Sequence, residues 1–239
     1  MVGAAAGSVS FQEASSLLEE LAGLAIDTKQ VERYAEALGE EIERDEREHV
    51  APPDSATLPA TLYLTLDGTG VPMRKSELID RAGKQEDGSA KTREVKLCAV
   101  FSAESRDDEG VPVRDEGSVS YSAAIESAAA IDDDSTLSDF ACRVGREGKR
   151  RGFERAARQA ILGDGALWIW RIAEELYPAA IQIVDRFHAK QHLSEVAKAI
   201  FGLKDPRALT WAKERHAELD DGRIEAILEA LETHQAVTD

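Results

Sequence analysis

Asp67 and Asp164 each close an apolar run and stand beside glycine, in Leu62-Tyr63-Leu64-Thr65-Leu66-Asp67-Gly68-Thr69-Gly70 and Ala160-Ile161-Leu162-Gly163-Asp164-Gly165. A carboxylate at a strand tip has a rigid base and open space in front of it. Hard oxygen donors of this kind suit Mg²⁺, with Mn²⁺ as a substitute, because the ion keeps several waters and needs few protein ligands. Two such carboxylates that meet would support two-metal phosphoryl transfer, with ions roughly 3.5–4 Å apart. The pair therefore points to a nuclease-like centre, which calls for a third acid. Asp67 is the natural shared ligand. Period-two alternation puts Leu62, Leu64 and Leu66 on one face and Tyr63, Thr65 and Asp67 on the other. Gly68 and Gly70 leave space where a DNA backbone would come close.

A third acid, Asp185, ends the run Ile181-Gln182-Ile183-Val184-Asp185-Arg186-Phe187-His188. His188 and His192 are four apart and share a helix face. A metal set of Asp185, His188 and His192 is one reading. Capping of the next helix by Asp185, with the histidines packed nearby, is the preferred one. Trp168 and Trp170 are two apart at a helix start, so they cannot share a face; core packing is the expectation for both, base stacking the alternative. The basic run from Lys149 to Arg158 could grip phosphate, but a solvated helix end is the commoner fate. Thr65-Leu66-Asp67-Gly68-Thr69 also looks like the nucleophile loop of haloacid-dehalogenase-type phosphatases. That family's nucleophilic aspartate would fall at position 65, where this chain has Thr65, so no aspartyl-phosphate can form.

The elements that must position these groups are legible in outline. Residues 10–48 read as two helices, with Leu17, Leu18, Leu21 and Leu24 on the first and Val31, Tyr34, Ala35 and Leu38 on the second. Asp27 or Thr28 can cap the second. The pair forms a helical hairpin or a helix-turn-helix. Pro52-Pro53 ends this segment. Strands are expected at 61–72, 93–105, 118–125, 158–162 and 180–184. Helices are expected at 135–151, from about 166, and at roughly 188–201, 206–219 and 222–235, with a loop or hairpin tip over 74–92. Three strands in succession suggest an antiparallel meander, and the later strand–helix–strand alternation suggests parallel additions. That is the order of a ribonuclease-H-like α/β core with a mixed sheet of five strands, where the first acid falls on the first strand and the second at the end of the fourth.

Composition sets the bounds. The 239 residues suit one main domain with an appendage, and a 43% hydrophobic content supplies a packed core. No apolar run approaches the ~20 residues that span a bilayer, and the small apolar start lacks a basic region, so a soluble cytoplasmic protein is expected. A net charge of −17 argues against the whole surface as a nucleic-acid binder. The charge is uneven, however: acids crowd residues 40–48, 107–109 and 132–134, and bases crowd 74–96 and 143–158. Cys98 and Cys142 fit no zinc spacing, and Cys98 reads as a small buried hydrophobe.

At these residues the chain resembles transposases of the ISKra type from bacterial insertion sequences. The matching stretches are 63–74, 83–88, 92–97, Leu162-Gly163-Asp164-Gly165-Ala166 with Trp168-Ile169-Trp170, and Ile183-Val184-Asp185-Arg186-Phe187-His188-Ala189-Lys190-Gln191-His192-Leu193. The resemblance implies a DDE enzyme that cuts and joins DNA ends, with Asp67 and Asp164 as its first two catalytic and metal-binding acids and Mg²⁺ or Mn²⁺ as cofactor. Asp185 and His188 match an Asp-x-x-His motif that opens a helical insertion. Expected units are residues 1–50 (helical), 58–187 (catalytic core) and 188–239 (the start of the insertion). The family's final glutamate has no counterpart here. Glu225, Glu229 and Glu232 read as an exposed helix face, and the family usually carries more sequence before residue 10. The expectation is thus a fragment truncated at both ends and inactive alone. Expected partners are insertion-sequence end DNA, a second copy or a full-length transposase. The alternative is a non-catalytic regulatory binder.

Overall fold

The computed structural model describes residues 1–54, 57–79, 85–86, 90–126 and 138–234. Five strands form one mixed sheet: β1 (Thr61–Pro72), β2 (Thr92–Phe101), β5 (Ser120–Glu126), β6 (Arg158–Gly163) and β7 (Ile181–Val184). Their order across the sheet is β5-β2-β1-β6-β7. β1, β2 and β5 are antiparallel neighbours, while β6 and β7 add in parallel. Meander and parallel additions are thus as read from the alternation of elements. A two-stranded ribbon, β3 (Ser105–Arg106) with β4 (Pro112–Val113), lies between β2 and β5 and was not expected. Asp115 holds the chain there, accepting from the Ser102 and Ser105 hydroxyls and the Glu104 and Ser105 amides.

The central strand obeys its period-two pattern. Leu62, Leu64 and Leu66 are buried in β1, with Cys98 and Val100 of β2 and Ile161 of β6 on the same face. Helix α4 (Asp139–Arg151) contributes Phe140 and Val144 to that core, and α5 (Leu167–Leu176) contributes Ile169, Ile172 and Ala173. Burying six such side chains against helices supplies the main driving force, at about 25 cal/mol per Å² of apolar surface. The opposite sheet face exposes Leu97, Tyr121, Ile125, Ile181 and Ile183. Cys98 is fully buried, as expected, and burial pushes its thiol pKa up strongly.

The N-terminal segment holds three helices rather than two: α1 (Val2–Ser8), α2 (Phe11–Ala22) and α3 (Thr28–Glu48). The short apolar start that lacked a periodic signal folds as α1 against the other two, around Ala14, Leu18 and Val31. Asp27 caps α3 in a reciprocal capping box with Gln30. Of the expected apolar faces only Leu18 and Val31 are buried; Leu21, Tyr34 and Leu38 are exposed. The acidic end of α3 turns inward. Arg143 of α4 donates to Glu46 at 2.9 Å and to Glu43 at 3.0 Å, and the Ser122 hydroxyl donates to Glu46 at 2.9 Å.

After the sheet come α6 (Arg186–Phe201), α7 (Pro206–Asp220) and α8 (Ile224–Glu232), packed around Leu193, Ala197, Trp211 and Ile227. Asp220 at the end of α7 reaches back to α6, accepting from Arg186 at 2.7 Å and Lys190 at 2.6 Å. The expected helix start at 135–137, the stretch 83–84 with 87–88, the acids 132–134 and the last expected helical residue, 235, lie outside the described residues. No helix among the described residues is long and apolar enough to cross a membrane.

Candidate functional site

β1 and β6 lie side by side and parallel, paired from Thr61 with Arg158 to Thr65 with Leu162. Asp67 stands two residues past Thr65, and Asp164 two past Leu162, one residue beyond the end of β6. Asp67 is not at the strand tip that the sequence suggested: β1 runs on to Pro72 and Asp67 pairs with Leu97 of β2, just past the last β1–β6 pair, while Asp164 follows the end of the neighbouring strand β6. Asp67 alternates with buried Leu66 and so belongs to the open sheet face with Tyr63 and Thr65. Its Oδ1 accepts the Gly68 amide at 2.8 Å. Asp164 Oδ1 accepts the Ala166 amide at 2.8 Å, just before α5 begins. Backbone donors thus fix one oxygen of each carboxylate. Among the described residues the second oxygen of each accepts no hydrogen bond and forms no ion pair.

Asp185 is joined to the same edge by the chain itself: its amide donates to the Gly163 carbonyl at 2.7 Å. Its carboxylate, however, is spent on α6. Oδ1 accepts from the Phe187 amide at 2.7 Å and the His188 amide at 3.0 Å, making Asp185 the N-cap. The His188 hydrogen bond, foremost, lowers its pKa below the ordinary carboxylate value. His188 Nδ1 lies 3.5 Å from Asp185, whereas His192 Nδ1 lies 3.5 Å from Glu195. The histidines therefore face different acids rather than one centre. Among the described residues no three of His, Cys, Asp and Glu are grouped to hold a metal. Glu225, Glu229 and Glu232 are exposed on α8.

The remaining candidates resolve as packing. Trp168 meets Phe140 edge-to-face at 5.8 Å, and both Trp168 and Trp170 pack against the main core. The basic run at the end of α4 is largely spent internally. Arg150 pairs with buried Glu147, and Arg151 donates to the Val100 and Ser118 carbonyls and to the Ser120 hydroxyl. Lys149, Arg155 and Arg158 of the same run are exposed. A further charged cluster was missed from sequence. Lys96 is 5% exposed, with its Nζ 3.9 Å from Glu94 and 4.7 Å from the Trp168 ring centroid. The signal was available: Glu94 and Lys96 are in phase with Cys98 and Val100, and so share their face of β2.

No protein-family model matches the chain, and no curated protein matches it.

Proposed function

We propose that this chain carries the ribonuclease-H-like core of an ISKra-type DNA transposase, a DDE enzyme that cuts and joins insertion-sequence ends in the bacterial cytoplasm. Asp67 and Asp164 are its first two acids. The observation that carries this reading is the common register of the two aspartates, one in β1 and one just past the end of the adjacent parallel strand β6. The strand order, three antiparallel strands followed by two parallel ones, agrees with it.

The donor set fits a divalent ion of the Mg²⁺ type. Two hard carboxylates follow neighbouring strand segments in register, each with one oxygen held by a backbone amide, and water or phosphate oxygens would complete the coordination of an ion held between them. Bound there, the ion supplies Lewis acidity and an activated oxygen nucleophile. The chain's own contribution is positional. Gly68 and Ala166 amides keep the carboxylates from rotating, and Gly68 and Gly70 keep the approach to Asp67 free of side chains. Thr65 sits mid-strand in the ladder, where it supplies no nucleophilic carboxylate, so phosphatase chemistry through that position is disfavoured. With two acids assigned, metal binding is expected of the chain by itself and strand cleavage is not.

Calorimetric titration with Mn²⁺ tests the reading, together with anisotropy of a labelled duplex oligonucleotide. Binding of Mn²⁺ that both Asp67→Ala and Asp164→Ala remove, and that tightens the hold on the duplex, is the expected result. Metal binding indifferent to both substitutions overturns it.

A second reading, a non-catalytic binder of DNA or of full-length transposase, is favoured by one feature. The acidic end of α3 is turned in against Arg143, which leaves the exposed first turns with Lys29 and Arg33 facing solvent. A mobility shift that persists without divalent ions and disappears on joint Lys29→Ala and Arg33→Ala substitution would select it.

A further inference from the structure

Lys96 is a buried lysine in a sheet that has no need of one. It pairs with Gly68 across the β1–β2 ladder, next to Asp67. Its neighbours come from β2 itself and from helix α5. Glu94 lies on the same face of β2, with its carboxylate in the space beside Gly68: a Cβ on Gly68 would come within 2.7 Å of Glu94 Oε1 and 3.4 Å of Trp168 Cζ2. Trp168 belongs to the first turn of α5, the helix whose start is held by the Asp164 carboxylate. The cluster therefore spans from the backbone that holds Asp67 to the helix start that holds Asp164.

We propose that Lys96 is a positioning residue for the aspartate pair: clamped between Glu94 and the Trp168 ring, its ammonium ties β2, at the point where it pairs with Gly68 of β1, to the start of α5 and so fixes the spacing of Asp67 and Asp164. This rests on reading that pair as a metal site. A buried ion pair is near break-even for stability against an apolar side chain of similar volume, so its value here lies in geometry. The ammonium over the indole face adds directional attraction that a methylene chain lacks. Gly68 is required by the same arrangement, because only a residue without Cβ leaves the Glu94 carboxylate its place. Groups that orient metal ligands from behind commonly govern affinity by 10- to 100-fold.

The sign of one measurement separates positioning from plain charge. Deleting a cation near a metal site tightens cation binding by electrostatics alone. Positioning predicts the reverse: Lys96→Met weakens Mn²⁺ binding roughly tenfold, and Lys96→Arg restores most of it. Gly68→Ala, which changes no charge and displaces only the flexible end of Glu94, weakens binding in the same direction and serves if Lys96→Met does not fold. Calorimetry with Mn²⁺ on each full-length variant, with circular dichroism to check folding, reads this out. Unchanged or tighter binding in folded Lys96→Met and Gly68→Ala overturns the inference while leaving the aspartate pair intact. Absence of Mn²⁺ binding in the unmodified chain overturns the metal reading and this inference with it.

Discussion

Asp67 and Asp164 share the register of β1 and β6: they are 97 residues apart, and so is every pair in the ladder from Thr61–Arg158 to Thr65–Leu162, with Asp164 one residue past the end of β6. A shift of one residue would have sent one carboxylate to the opposite face. The relationship is backbone-determined: it brings Asp67 of β1 and Asp164, one residue past β6, onto neighbouring segments of the sheet. Under the proposed reading, a divalent ion would bind between them.

Stability and metal response should therefore separate. Asp67→Ala removes an exposed carboxylate with one local amide contact, so unfolding free energy without metal should change by no more than about 0.5 kcal/mol, whereas Asp164→Ala also removes the acceptor for the Ala166 amide at the start of α5 and should cost about 1 kcal/mol. Mn²⁺ at a hundred times its dissociation constant should stabilise the unmodified chain by about 2.7 kcal/mol and either variant not at all. Urea unfolding with and without Mn²⁺ measures both. A metal-independent loss of several kcal/mol in Asp67→Ala would assign that residue a structural role instead.

Asp185 should behave as a cap. Asp185→Ala removes the acceptor for the Phe187 and His188 amides and should cost about 1 kcal/mol, with Asp185→Asn costing less. Mn²⁺ affinity should be unaffected, since the carboxylate is directed at α6. Loss of Mn²⁺ binding in folded Asp185→Asn would instead make it a third ligand.

Acid should loosen the same helical unit. Asp220 has its pKa lowered to about 2, first by Arg186 and then by Lys190. A carboxyl whose folded pKa is depressed contributes stability above its unfolded value, about 3.9, and that stability is lost as pH falls through the folded pKa. The contribution is therefore present above about pH 4 and fades toward pH 2. Asp220→Asn should flatten the stability–pH curve in that window, and the difference should shrink in high salt because the group is exposed. Urea midpoints at several pH values provide the measurement.

The sheet was legible because its strands carry strong local signals. β1 alternates cleanly between buried leucines and a polar face, and each acid sits beside a glycine that ends its run. The β3–β4 ribbon and α1 were missed because two-residue strands and a single short turn of small residues have no period to detect. Tyr34 and Leu38 have the spacing of a buried stripe, yet α1, which reaches Leu38 at Gly3, leaves both side chains largely exposed. The Lys96–Glu94–Trp168 cluster draws on residues separated by more than 70 positions, so only the fold brings it together. The acidic end of α3 looked like a solvated tail because its partner, Arg143, lies 97 positions beyond Glu46.

Close packing between α4 and α5 provides a further check on the core. A Cβ at Gly148 would overlap the Tyr177 hydroxyl, which donates to the Val144 carbonyl at 3.3 Å. Gly148→Ala should destabilise by about 2 kcal/mol despite its better helix propensity. Tyr177→Phe in the same chain should recover part of that loss, since it removes the atom in closest conflict. Thermal unfolding of the two single variants and the double gives the coupling; strict additivity would contradict the overlap.

The clasp between α3 and α4 makes the last prediction. Arg143 and Glu46 are largely buried side chains, and Ser122 of β5 adds a second contact to the Glu46 carboxylate. Removing the guanidinium leaves Glu46 partly desolvated with one hydroxyl partner, a loss of about 2 kcal/mol for charge-assisted hydrogen bonds. Because the clasp lies at the junction, Arg143→Ala should free the N-terminal helices more than it weakens the sheet. Amide exchange should rise across α1 to α3 while β1, β2 and β6 stay protected. Limited proteolysis should then cut between α3 and β1, where the unmodified chain resists. Uniform loss of protection across the sheet would show instead that Arg143 belongs to the core's own stability and that α3 is not separately held.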